Sequence, residues 1–366
     1  MRVLTVNAGS SSLKLSLVDT EQPQARVERQ IPAPDAELDS GRLAAALSET
    51  FSDIDAVGHR IVHGGPRFDG PVLIDQATER ELTRLTDLAP LHQPKSLAAL
   101  RAVTELRPHI PAVACFDTAF HASLPAAART YALPERWNRR WDLRRYGFHG
   151  LSHAWIARRI PTLVGGEGRR LRIVSCHLGA GASVCAIDSG RSVDTTMGFT
   201  PLEGLVMATR SGSLDPGLLL WLLARQERSA AEVAHVLEFE SGLAGLAGTA
   251  DMRTVLQRAD RGQASAQLAL DVYIHRLRGQ IAAMAAAMDG LDVLAFTGGV
   301  GERSPQVRRL AVKGLGFLGL ALEDRCNDAA RPDAEIGRGE QPRIWVVSAR
   351  EDWEIAAQVQ AVLSPA

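Results

Sequence analysis

Short runs of β-branched and other apolar residues alternate along the chain with longer stretches rich in alanine and leucine. The short runs are typical of buried strands and the longer stretches of helices, so the alternation predicts an α/β fold. Between them, the polar, proline-containing residues 21–40 predict a surface excursion. The predicted strands are residues 2–6, 13–18, 56–62, 112–116, 172–177, 183–187, 293–297 and 343–347. The predicted helices are residues 42–51, 78–87, 96–105, 152–159, 217–225, 230–238, 264–288, 304–314 and 352–363.

One strand–turn–strand pattern occurs twice. Residues 3–14 read VLTVNAGSSSLK, and residues 173–184 read IVSCHLGAGASV, so that Asn7 aligns with His177 and Gly9 with Gly179. Two unrelated hairpins would give the same pattern. The repeat nevertheless suggests two similar halves with a cleft between them.

Length and composition limit the classes of protein that fit. A chain of 366 residues exceeds what one hydrophobic core usually supports, so we expect two domains. The formal net charge of −1 offers no basic excess for nucleic acid. The longest apolar helix candidate, residues 264–288, carries Asp271, His275, Arg276 and Arg278, so we expect a packed helix and no membrane span.

The four cysteines, at positions 115, 176, 185 and 326, have no C-x-x-C spacing. Three of them lie in apolar, strand-like runs. We therefore interpret all four as small core residues of a reduced, cytoplasmic protein, and not as disulfides or metal ligands. The N-terminal residues turn polar too early for the apolar region of a signal peptide.

Two glycine-containing turns could approach phosphate groups. In the first, Gly9 and the serines at positions 10–12 precede Lys14, but no second glycine comes before the lysine, so the segment is not a Walker A loop. The second, residues 297–303 with the sequence TGGVGER, follows an apolar run and leads into a predicted helix. Its glycine spacing disfavours a dinucleotide-binding fold.

Charged residues lie at the ends of apolar runs. Arg60 lies where a predicted strand breaks into glycines, Asp117 directly follows another strand, and Arg210 precedes a Ser-Gly-Ser turn. A carboxylate at the carboxyl end of a strand is typical of functional sites in α/β proteins. Taken singly, each of the three is more simply explained as a solvated charge, but their repeated occurrence beside glycine turns favours function.

His149 and His153 have the spacing of a metal-binding pair on a helix. No third ligand with suitable spacing is visible, and Gly150 is expected to interrupt the helix. A role in hydrogen bonding therefore fits better than a structural zinc site.

Two segments carry a specific family resemblance. Residues 7–14 (NAGSSSLK) and residues 197–205 (MGFTPLEGL) resemble, almost unaltered, the two signature motifs of the acetokinase family. The resemblance extends along nearly the whole chain. Blocks in the family order surround Arg60, His92, Asp117, His149, His177 and Arg210.

The resemblance implies the two-domain, actin-like ATPase (ribonuclease H-like) fold shared by acetate and sugar kinases, heat-shock chaperone ATPase domains and actin. That fold has a duplicated βββαβαβα core and an interdomain cleft. Residues 1–121 with 353–366 would form the first domain, closed by the C-terminal helix. Residues 122–352 would bind the nucleotide and form a homodimer.

The implied activity is reversible phosphoryl transfer between ATP and acetate by direct in-line attack, giving acetyl phosphate and ADP. It would depend on Mg²⁺, with Mn²⁺ able to replace it. A propionate or butyrate kinase is the nearest alternative, because one methylene changes discrimination by only about 1–3 kcal/mol. A catalytically silent nucleotide-binding module is the alternative from another class.

The resemblance also implies a role for individual residues. Asp117, His149, Arg210 and Arg60 would be catalytic, with Asp117 orienting Arg60, a water or the metal. The acid would contact Arg60, Val62, Leu91, His92, Phe148 and Pro201. The nucleotide would contact Ser10, Ser12, Lys14, His177, Leu178, Gly179, Ala180, Gly181, Asp251, Met252, Arg253, Gly299, Val300, Gly301, Glu302 and Arg303. Asn7 and Glu351 would hold the metal.

Three residues depart from the family pattern. Ala180 and Arg303 each stand where the family usually has asparagine, and Arg350 stands where it has a small or polar residue. These departures bear on nucleotide preference and metal affinity, and not on the acyl phosphate chemistry.

Overall fold

The computed structural model describes residues 1–9, 12–22, 26–32, 40–51, 53–90, 93–225, 228–340 and 342–364. Their contacts divide the chain into two compact units. The first unit combines Met1–Ala122 with Phe148–Trp155 and Arg350–Ala366, and the second combines Ser123–Gly147 with Ile156–Ala349. The domain limits inferred from the sequence stay a prediction.

The first unit is built on a mixed sheet with the strand order β3-β2-β1-β4-β6-β5. The pairs β1–β4 and β4–β6 are parallel, and the remaining pairs are antiparallel. These strands are β1 Arg2–Ala8, β2 Ser12–Asp19, β3 Arg26–Pro32, β4 Ala56–Ile61, β5 Val72–Leu73 and β6 Ala112–Phe116.

The second unit contains a sheet of the same design, with the strand order β9-β8-β7-β10-β12-β11. Here too only the two central pairs, β7–β10 and β10–β12, are parallel. The strands are β7 Arg172–Leu178, β8 Ala182–Asp188, β9 Arg191–Thr195, β10 Val293–Thr297, β11 Ala334–Glu335 and β12 Arg343–Val346. The duplication suggested by the repeated hairpin sequence is confirmed.

Helices pack against both sheets. In the first unit, the C-terminal helix covers the face that carries Val3, Val18 and Cys115, and contributes Ile355 and Val359 to that core. The other face of the same sheet packs against the first and third helices. The helices are α1 Ser40–Glu49, α2 Gln76–Arg84, α3 Gln93–Leu106, α4 Ala126–Arg129, α5 Glu135–Trp141, α6 Gly150–Val164, α7 Pro216–Ala224, α8 Ala230–His235, α9 Gly242–Ala247, α10 Met252–Asp260, α11 Ala264–Ala287, α12 Gly298–Arg303, α13 Pro305–Lys313, α14 Asp324–Ala329 and α15 Glu351–Leu363.

Several predictions about local structure are wrong. Within the proposed surface excursion, Arg26–Pro32 form strand β3, which pairs with β2 along its whole length. The alternation of apolar and polar residues that marks a half-buried strand is weak in this segment. Of its two β-branched residues, Ile31 is buried and Val27 is exposed. Two predicted helices are also shorter than expected: α2 gives way to the 3-10 helix Leu85–Leu88, and α8 to the π-helix Val236–Glu240.

The cysteine interpretation is correct for three of the four positions. Cys115, Cys176 and Cys185 are buried, whereas Cys326 on α14 is exposed and is therefore not a core residue. All four thiols are free. No helix in the described part of the chain is both long and apolar enough to cross a membrane.

Candidate active site

Three polar side chains emerge at one edge of the first sheet. Asn7 is near the end of β1, Arg60 near the end of β4, and Asp117 directly after β6. The strands are parallel and in register, with Val6 opposite His59 and Arg60 opposite Cys115. Because side chains alternate between faces, Arg60 and Asp117 project on the side covered by α15. The carboxyl ends of adjacent parallel strands therefore bring these groups together.

Arg60 and Asp117 form a buried ion pair. The Nε of Arg60 donates to both carboxylate oxygens of Asp117 at 3.0 Å, and its Nη2 donates to Oδ2 at 2.6 Å. The Asp117 side chain is 2% exposed and that of Arg60 is 19% exposed. Burial raises the pKa of Asp117, and the guanidinium opposes that rise. Burial disfavours the charge on Arg60, yet Asp117 and Glu351 outweigh burial and raise its pKa.

Two further side chains complete this group. Arg60 Nη1 donates to the Asn7 amide oxygen at 3.0 Å and lies 3.7 Å from Oε2 of Glu351. The Asn7 amide nitrogen donates to the same Glu351 oxygen at 3.2 Å. Glu351 is the first residue of α15, which packs on this face of the sheet. We call Asn7, Arg60, Asp117 and Glu351 the Arg60 cluster.

The Arg60 cluster has the donor chemistry that a hard divalent cation takes. The Glu351 carboxylate lies against the Asn7 amide nitrogen, and the Asn7 amide oxygen accepts from Arg60. Mg²⁺ is commonly held by one or two carboxylates together with substrate phosphates. Among the described residues, no group of three or more His, Cys, Asp or Glu side chains could hold a metal. The Glu351 carboxylate and the Asn7 amide are groups that can bind such an ion.

The backbone around His149 is held against Asp117. His149 has a φ of 56°, which is uncommon for a residue with a side chain. The next residue, Gly150, donates its N–H to the Asp117 carbonyl at 2.8 Å, and a Cβ at Gly150 would collide with that carbonyl oxygen. The sequence prediction that Gly150 interrupts a helix is wrong, because α6 begins at Gly150. The glycine allows this close approach, which places His149 beside the strand end.

Phe148 and Val62 also lie in the first unit. The Phe148 ring is buried and makes an edge contact with His63 at a centroid distance of 5.5 Å, and the His121 Nε2 lies 3.0 Å from the Phe148 carbonyl oxygen. Val62 is partly buried. Leu91 and His92, predicted to contact the acid, and Ser10, predicted to contact the nucleotide, lie outside the described residues.

Lys14 and Ser12 make contacts with strand β3. Lys14 Nζ lies 3.1 Å from Glu28 Oε1, and Ser12 Oγ accepts a hydrogen bond from Gln30 Nε2 at 2.8 Å. Both residues belong to the first unit, whereas the other predicted nucleotide contacts of the described chain belong to the second.

The second unit contains a cavity of about 580 Å³. That volume is in the range of small-molecule sites, which span about 300–1,000 Å³. Eight residues predicted to contact the nucleotide line it: Gly179, Ala180, Asp251, Met252, Arg253, Gly299, Val300 and Arg303. Residues from three separate segments of the chain, predicted to contact one nucleotide, therefore lie around one cavity.

Two glycine segments meet at this cavity. The turn between β7 and β8 is closed by a hydrogen bond from the Gly179 N–H to the Gly181 carbonyl at 2.9 Å. Gly298 has a φ of +78°, and a Cβ there would lie 2.8 Å from the Leu178 carbonyl oxygen. Only glycine permits both the backbone conformation and this contact. His177 and Leu178 belong to β7, directly before the turn.

Glu302 and Arg308 shape the wall formed by α12. Glu302 Oε1 accepts the N–H groups of Gly298 at 3.1 Å and Ala349 at 2.9 Å. Arg308, which is 1% exposed, donates to the carbonyls of Gly301 and Glu302 at 2.8 and 2.9 Å and to Asn327. Burial lowers the pKa of Arg308 to about 10. Glu302 thus uses its carboxylate on the backbone, and Arg308 fixes the end of α12.

Sequence reasoning missed Arg308 and the helical character of α10, of which only Met252 and Arg253 were predicted as site residues. The signal for α10 was present: Asp251 caps the helix through Thr254, and apolar residues recur at helical spacing from Met252. Arg308 had no comparable signal, since its carbonyl partners are set by the tertiary fold. Other cavity residues that were missed are Leu256, Gln257, Asp260, Tyr273, Gln306 and Arg309.

Arg210 is oriented by a carboxylate of its own. Its Nε donates to Glu238 Oε2 at 2.9 Å, and its Nη1 donates to the Pro201 carbonyl at 3.4 Å. Glu238 lies in the π-helix that follows α8. This contact joins Arg210 to the second signature segment, which contains Pro201.

Inside that signature segment, Glu203 is the central group. It accepts hydrogen bonds from the Tyr131 hydroxyl at 2.6 Å and from Arg145 Nη2 at 2.8 Å. A Cβ at Gly198 would collide with the Glu203 carboxylate. The glycine and the glutamate are therefore a matched pair in a fixed loop.

Arg350, the third departure from the family pattern, contacts two residues of the helix that follows it. It donates to both oxygens of Asp352 at 3.0 and 3.2 Å, and its guanidinium lies 5.6 Å from the Trp353 ring centroid. Arg350 is thus held by its own helix.

Comparison with known proteins assigns the chain to a family. The family model described as "Acetokinase family" matches residues 36–357. The chain belongs to the acetokinase family. The acetate kinase of Synechococcus sp. (strain JA-2-3B'a(2-13)) is 43% identical to it over 99% of both chains. The resemblance drawn from the signature segments is thereby confirmed.

Solved structures of this family have the same fold. A propionate kinase from Francisella tularensis subsp. tularensis SCHU S4 has a TM-score of 0.91 at 31% identity, covering 99% of both chains. Porphyromonas gingivalis acetate kinase has a TM-score of 0.90 at 32% identity, covering 99% of this chain and 100% of that one. The predicted two-domain α/β fold is confirmed, as is the assignment to kinases.

Proposed function

We propose that this chain catalyses reversible phosphoryl transfer between ATP and acetate, giving acetyl phosphate and ADP. The Arg60 cluster is the observation that carries the proposal. It presents a guanidinium, fixed by a buried carboxylate, at the carboxyl ends of three parallel strands. Two further observations support it: the chain belongs to the acetokinase family, and the cavity of the second unit has a volume typical of small-molecule sites.

The reaction needs charge neutralisation more than it needs a base. A short-chain carboxylic acid has a pKa of roughly 4 to 5, like side-chain carboxyls, so acetate is ionised at neutral pH. Two like unit charges about 4 Å apart repel by roughly 4 kcal/mol at an intermediate effective dielectric. Arginine can offset this repulsion because its planar fork matches both carboxylate and phosphoryl oxygens.

In this proposal Arg60 and Arg210 bind the acetate carboxylate and the phosphoryl group in transfer. Asp117 orients Arg60 through the bidentate contact and takes no proton. His149 donates a hydrogen bond to the transferring group. Catalysis then rests on positioning and on stabilisation of charge in the transition state.

Asn7 and Glu351 are the side chains that would hold Mg²⁺, since they are neighbours and carry an amide oxygen and a carboxylate, which are ligands that this ion takes. Bound there, Mg²⁺ would neutralise charge on the donor phosphates. The residues that line the cavity of the second unit would bind the nucleotide, with Lys14 and Ser12 near its phosphates.

The alternative to acetate concerns the carboxylic acid that accepts the phosphoryl group. Val62, Leu91, His92, Phe148 and Pro201 would surround the acyl group. A propionate kinase of the same fold is 31% identical to this chain, so propionate is the second candidate substrate. One methylene is a small difference, and direct comparison of the acids decides it.

We also propose a homodimer in the cytoplasm. Helix α7 has no buried residue, and Leu218, Leu220 and Trp221 are 42%, 68% and 52% exposed. A second copy of the chain is the partner that the family resemblance indicates for such an apolar surface. Four free thiols are in keeping with a reducing compartment.

Trapping acyl phosphate with hydroxylamine tests the proposed activity. The purified chain is incubated with ATP, Mg²⁺ and either acetate, propionate or butyrate, and the hydroxamate is measured. We expect acetate to give the largest kcat/KM, and omission of Mg²⁺ to abolish product. ATP binding without hydroxamate from any acid would instead indicate a silent nucleotide-binding module.

A further inference from the structure

The loop that carries Pro201 places one of the groups that hold Arg210. Arg210 Nη1 donates to the Pro201 carbonyl at 3.4 Å, and Nε donates to Glu238 at 2.9 Å. Glu238 lies on a helix, whereas residues 196–205, around Pro201, form neither helix nor strand. A loop carbonyl directs a side chain only if other groups fix the loop backbone. The contacts that fix this loop therefore bear on where the guanidinium points.

The Tyr131 hydroxyl joins the two sides of the loop. It accepts the Phe199 N–H at 2.8 Å and donates to Glu203 Oε2 at 2.6 Å. Phe199 lies two residues before Pro201, and Glu203 lies two residues after it. A hydroxyl can make both bonds because it is donor and acceptor at once. One oxygen atom thus ties the backbone on one side of Pro201 to a side chain on the other.

The surroundings keep the Tyr131 hydroxyl in this role. A Cβ at Gly198 would collide with both the hydroxyl oxygen and the Glu203 carboxylate, so the three groups are closely packed. Arg145 Nη2 donates to the second oxygen of Glu203 at 2.8 Å and so fixes the carboxylate. Burial and the contact with Glu203 raise the pKa of Tyr131, so the hydroxyl stays protonated at neutral pH.

The far end of the loop is anchored next to Arg210. The Gly204 N–H donates to Ser213 Oγ at 3.0 Å, and the Gly204 carbonyl accepts the Ser213 N–H at 3.0 Å. Ser213 follows Arg210 by three residues. All of these groups belong to the second unit. The Tyr131 hydroxyl acts between this anchor and the start of the loop, on the residues that flank Pro201.

We propose that Tyr131 is a positioning residue for phosphoryl transfer. Its hydroxyl, through Phe199 and Glu203, holds the loop around Pro201. The Pro201 carbonyl in turn fixes a second nitrogen of Arg210, and with it the tilt of the guanidinium plane. The inference rests on the proposed function, in which Arg210 binds the phosphoryl group in transfer. Such a group must be placed before the reaction to stabilise the charge that develops.

Tyr131→Phe tests the inference by removing one oxygen atom, which leaves the Phe199 N–H and Glu203 without this partner. We expect kcat for hydroxamate formation at saturating acetate and ATP to fall by about tenfold to a hundredfold, because small displacements of a positioning group cost that much. KM for ATP should be nearly unchanged, because other segments line the cavity of the second unit. Circular dichroism should show the variant to be folded.

Two further variants support the reading of Tyr131→Phe. Tyr146→Phe is the matched control: the Tyr146 hydroxyl donates to the Asp142 carbonyl at 3.2 Å, away from the loop, and its loss should leave kcat unchanged. Glu203→Gln keeps the volume of the side chain and removes its charge. It should lower kcat in the same direction as Tyr131→Phe, and it decides the matter if Tyr131→Phe does not fold.

Arg210→Ala separates positioning from a general effect on the loop. If the hydroxyl acts through Arg210, adding Tyr131→Phe to Arg210→Ala should not lower kcat further, because residues that act as a unit are not additive. An equal loss in both backgrounds, or a folded Tyr131→Phe variant with unaltered kcat, would overturn the inference and leave the kinase activity in place. Absence of hydroxamate from the unaltered chain with any acid would count against the proposed function instead.

Discussion

At the scale of single residues, substitution of Asp117 tests whether a buried carboxylate must hold Arg60 for catalysis. Its carboxylate accepts three hydrogen bonds from Arg60 while 2% exposed. In Asp117→Asn the amide can accept at only one atom, and Arg60 loses its buried counter-charge. We expect kcat for acetyl phosphate formation to fall by a factor of about 100 or more. Steady-state kinetics with saturating acetate and ATP measure it.

Asp142→Asn is the control for Asp117→Asn, because Asp142 is an exposed carboxylate 3.7 Å from Arg144. It should leave kcat within about twofold, as expected for a surface ion pair. Circular dichroism must show that both variants are folded, since breaking a buried pair also destabilises. A folded Asp117→Asn variant with near-normal kcat would remove Asp117 from the mechanism.

His59 predicts a pH dependence of stability. Its ring is 1% exposed, and neither nitrogen has a hydrogen-bond partner among the described residues. Burial lowers the pKa of His59 to about 3, from an ordinary value near 6.5. Between these values the unfolded chain binds a proton that the folded chain does not, so stability falls as the pH falls, by up to about 1.4 kcal/mol per pH unit.

Thermal unfolding at pH 5 and pH 7 isolates this contribution. The midpoint should drop less between pH 7 and pH 5 in His59→Gln than in the unaltered chain, because glutamine does not titrate. His109→Gln, at an exposed position, should show the same drop as the unaltered chain. Equal drops in all three proteins would contradict the prediction.

At the scale of elements, the sequence predicts best where burial is strongest. Strands β6 and β10 are predicted to the residue because each is a short, mainly apolar run of which at least four residues are buried. Strands β3 and β9 were missed because their residues are largely polar and partly exposed, and their pairing comes from neighbouring strands. The sequence predicts a glycine-containing turn where α12 lies, because the three glycines of α12 disfavour a helix that tertiary contacts nevertheless stabilise.

The candidate site follows the same logic. Arg60 and Asp117 could be found because each lies at the end of a buried strand, and parallel pairing brings such ends together, whereas Asn7 and Glu351 are implied only by the family resemblance. Glu238, Asp260 and Arg308 could not, because they lie on helices whose position depends on packing and not on a local pattern. The sequence predicts the groups at strand ends, and the structure adds groups that packing places, such as Glu238, which orients Arg210.

The docking of α15 on the first sheet can be tested at Gly58. A Cβ there would collide with Ile355 and lie 2.8 Å from Val359 Cγ2. We expect Gly58→Ala to destabilise the protein by about 1–3 kcal/mol through overpacking. Hydrogen exchange should then be faster in residues 351–363 than in the unaltered chain.

Gly70→Ala is the matched control, since a Cβ at Gly70 would meet no atom within 4 Å. It should leave both the unfolding midpoint and the exchange of α15 unchanged. Unaltered exchange of α15 in Gly58→Ala would show that the helix does not depend on this contact.

At the scale of the whole molecule, the two sheets share one strand order but carry different groups at equivalent points. Asn7 on β1 corresponds to His177 on β7, and each pairs with the following antiparallel strand, Asn7 opposite Lys14 and His177 opposite Ser183. In the first unit, charged side chains lie at the carboxyl ends of the parallel strands. In the second unit, glycines that line or adjoin a cavity lie at the equivalent ends. One duplicated framework thus presents two kinds of chemistry.

The proposed homodimer can be tested at the exposed apolar residues of α7. Leu220 and Trp221 on α7 are exposed in a helix that buries none of its residues, and a stable homodimer interface is where such side chains become covered. Light scattering after size exclusion should give twice the chain mass for the unaltered protein. The double variant Leu220→Glu/Trp221→Glu should shift it to the mass of one chain, because two charges would be desolvated on association. Leu73→Glu, at an exposed leucine of the first unit, should remain dimeric. A double variant that is still dimeric would show that another surface mediates association.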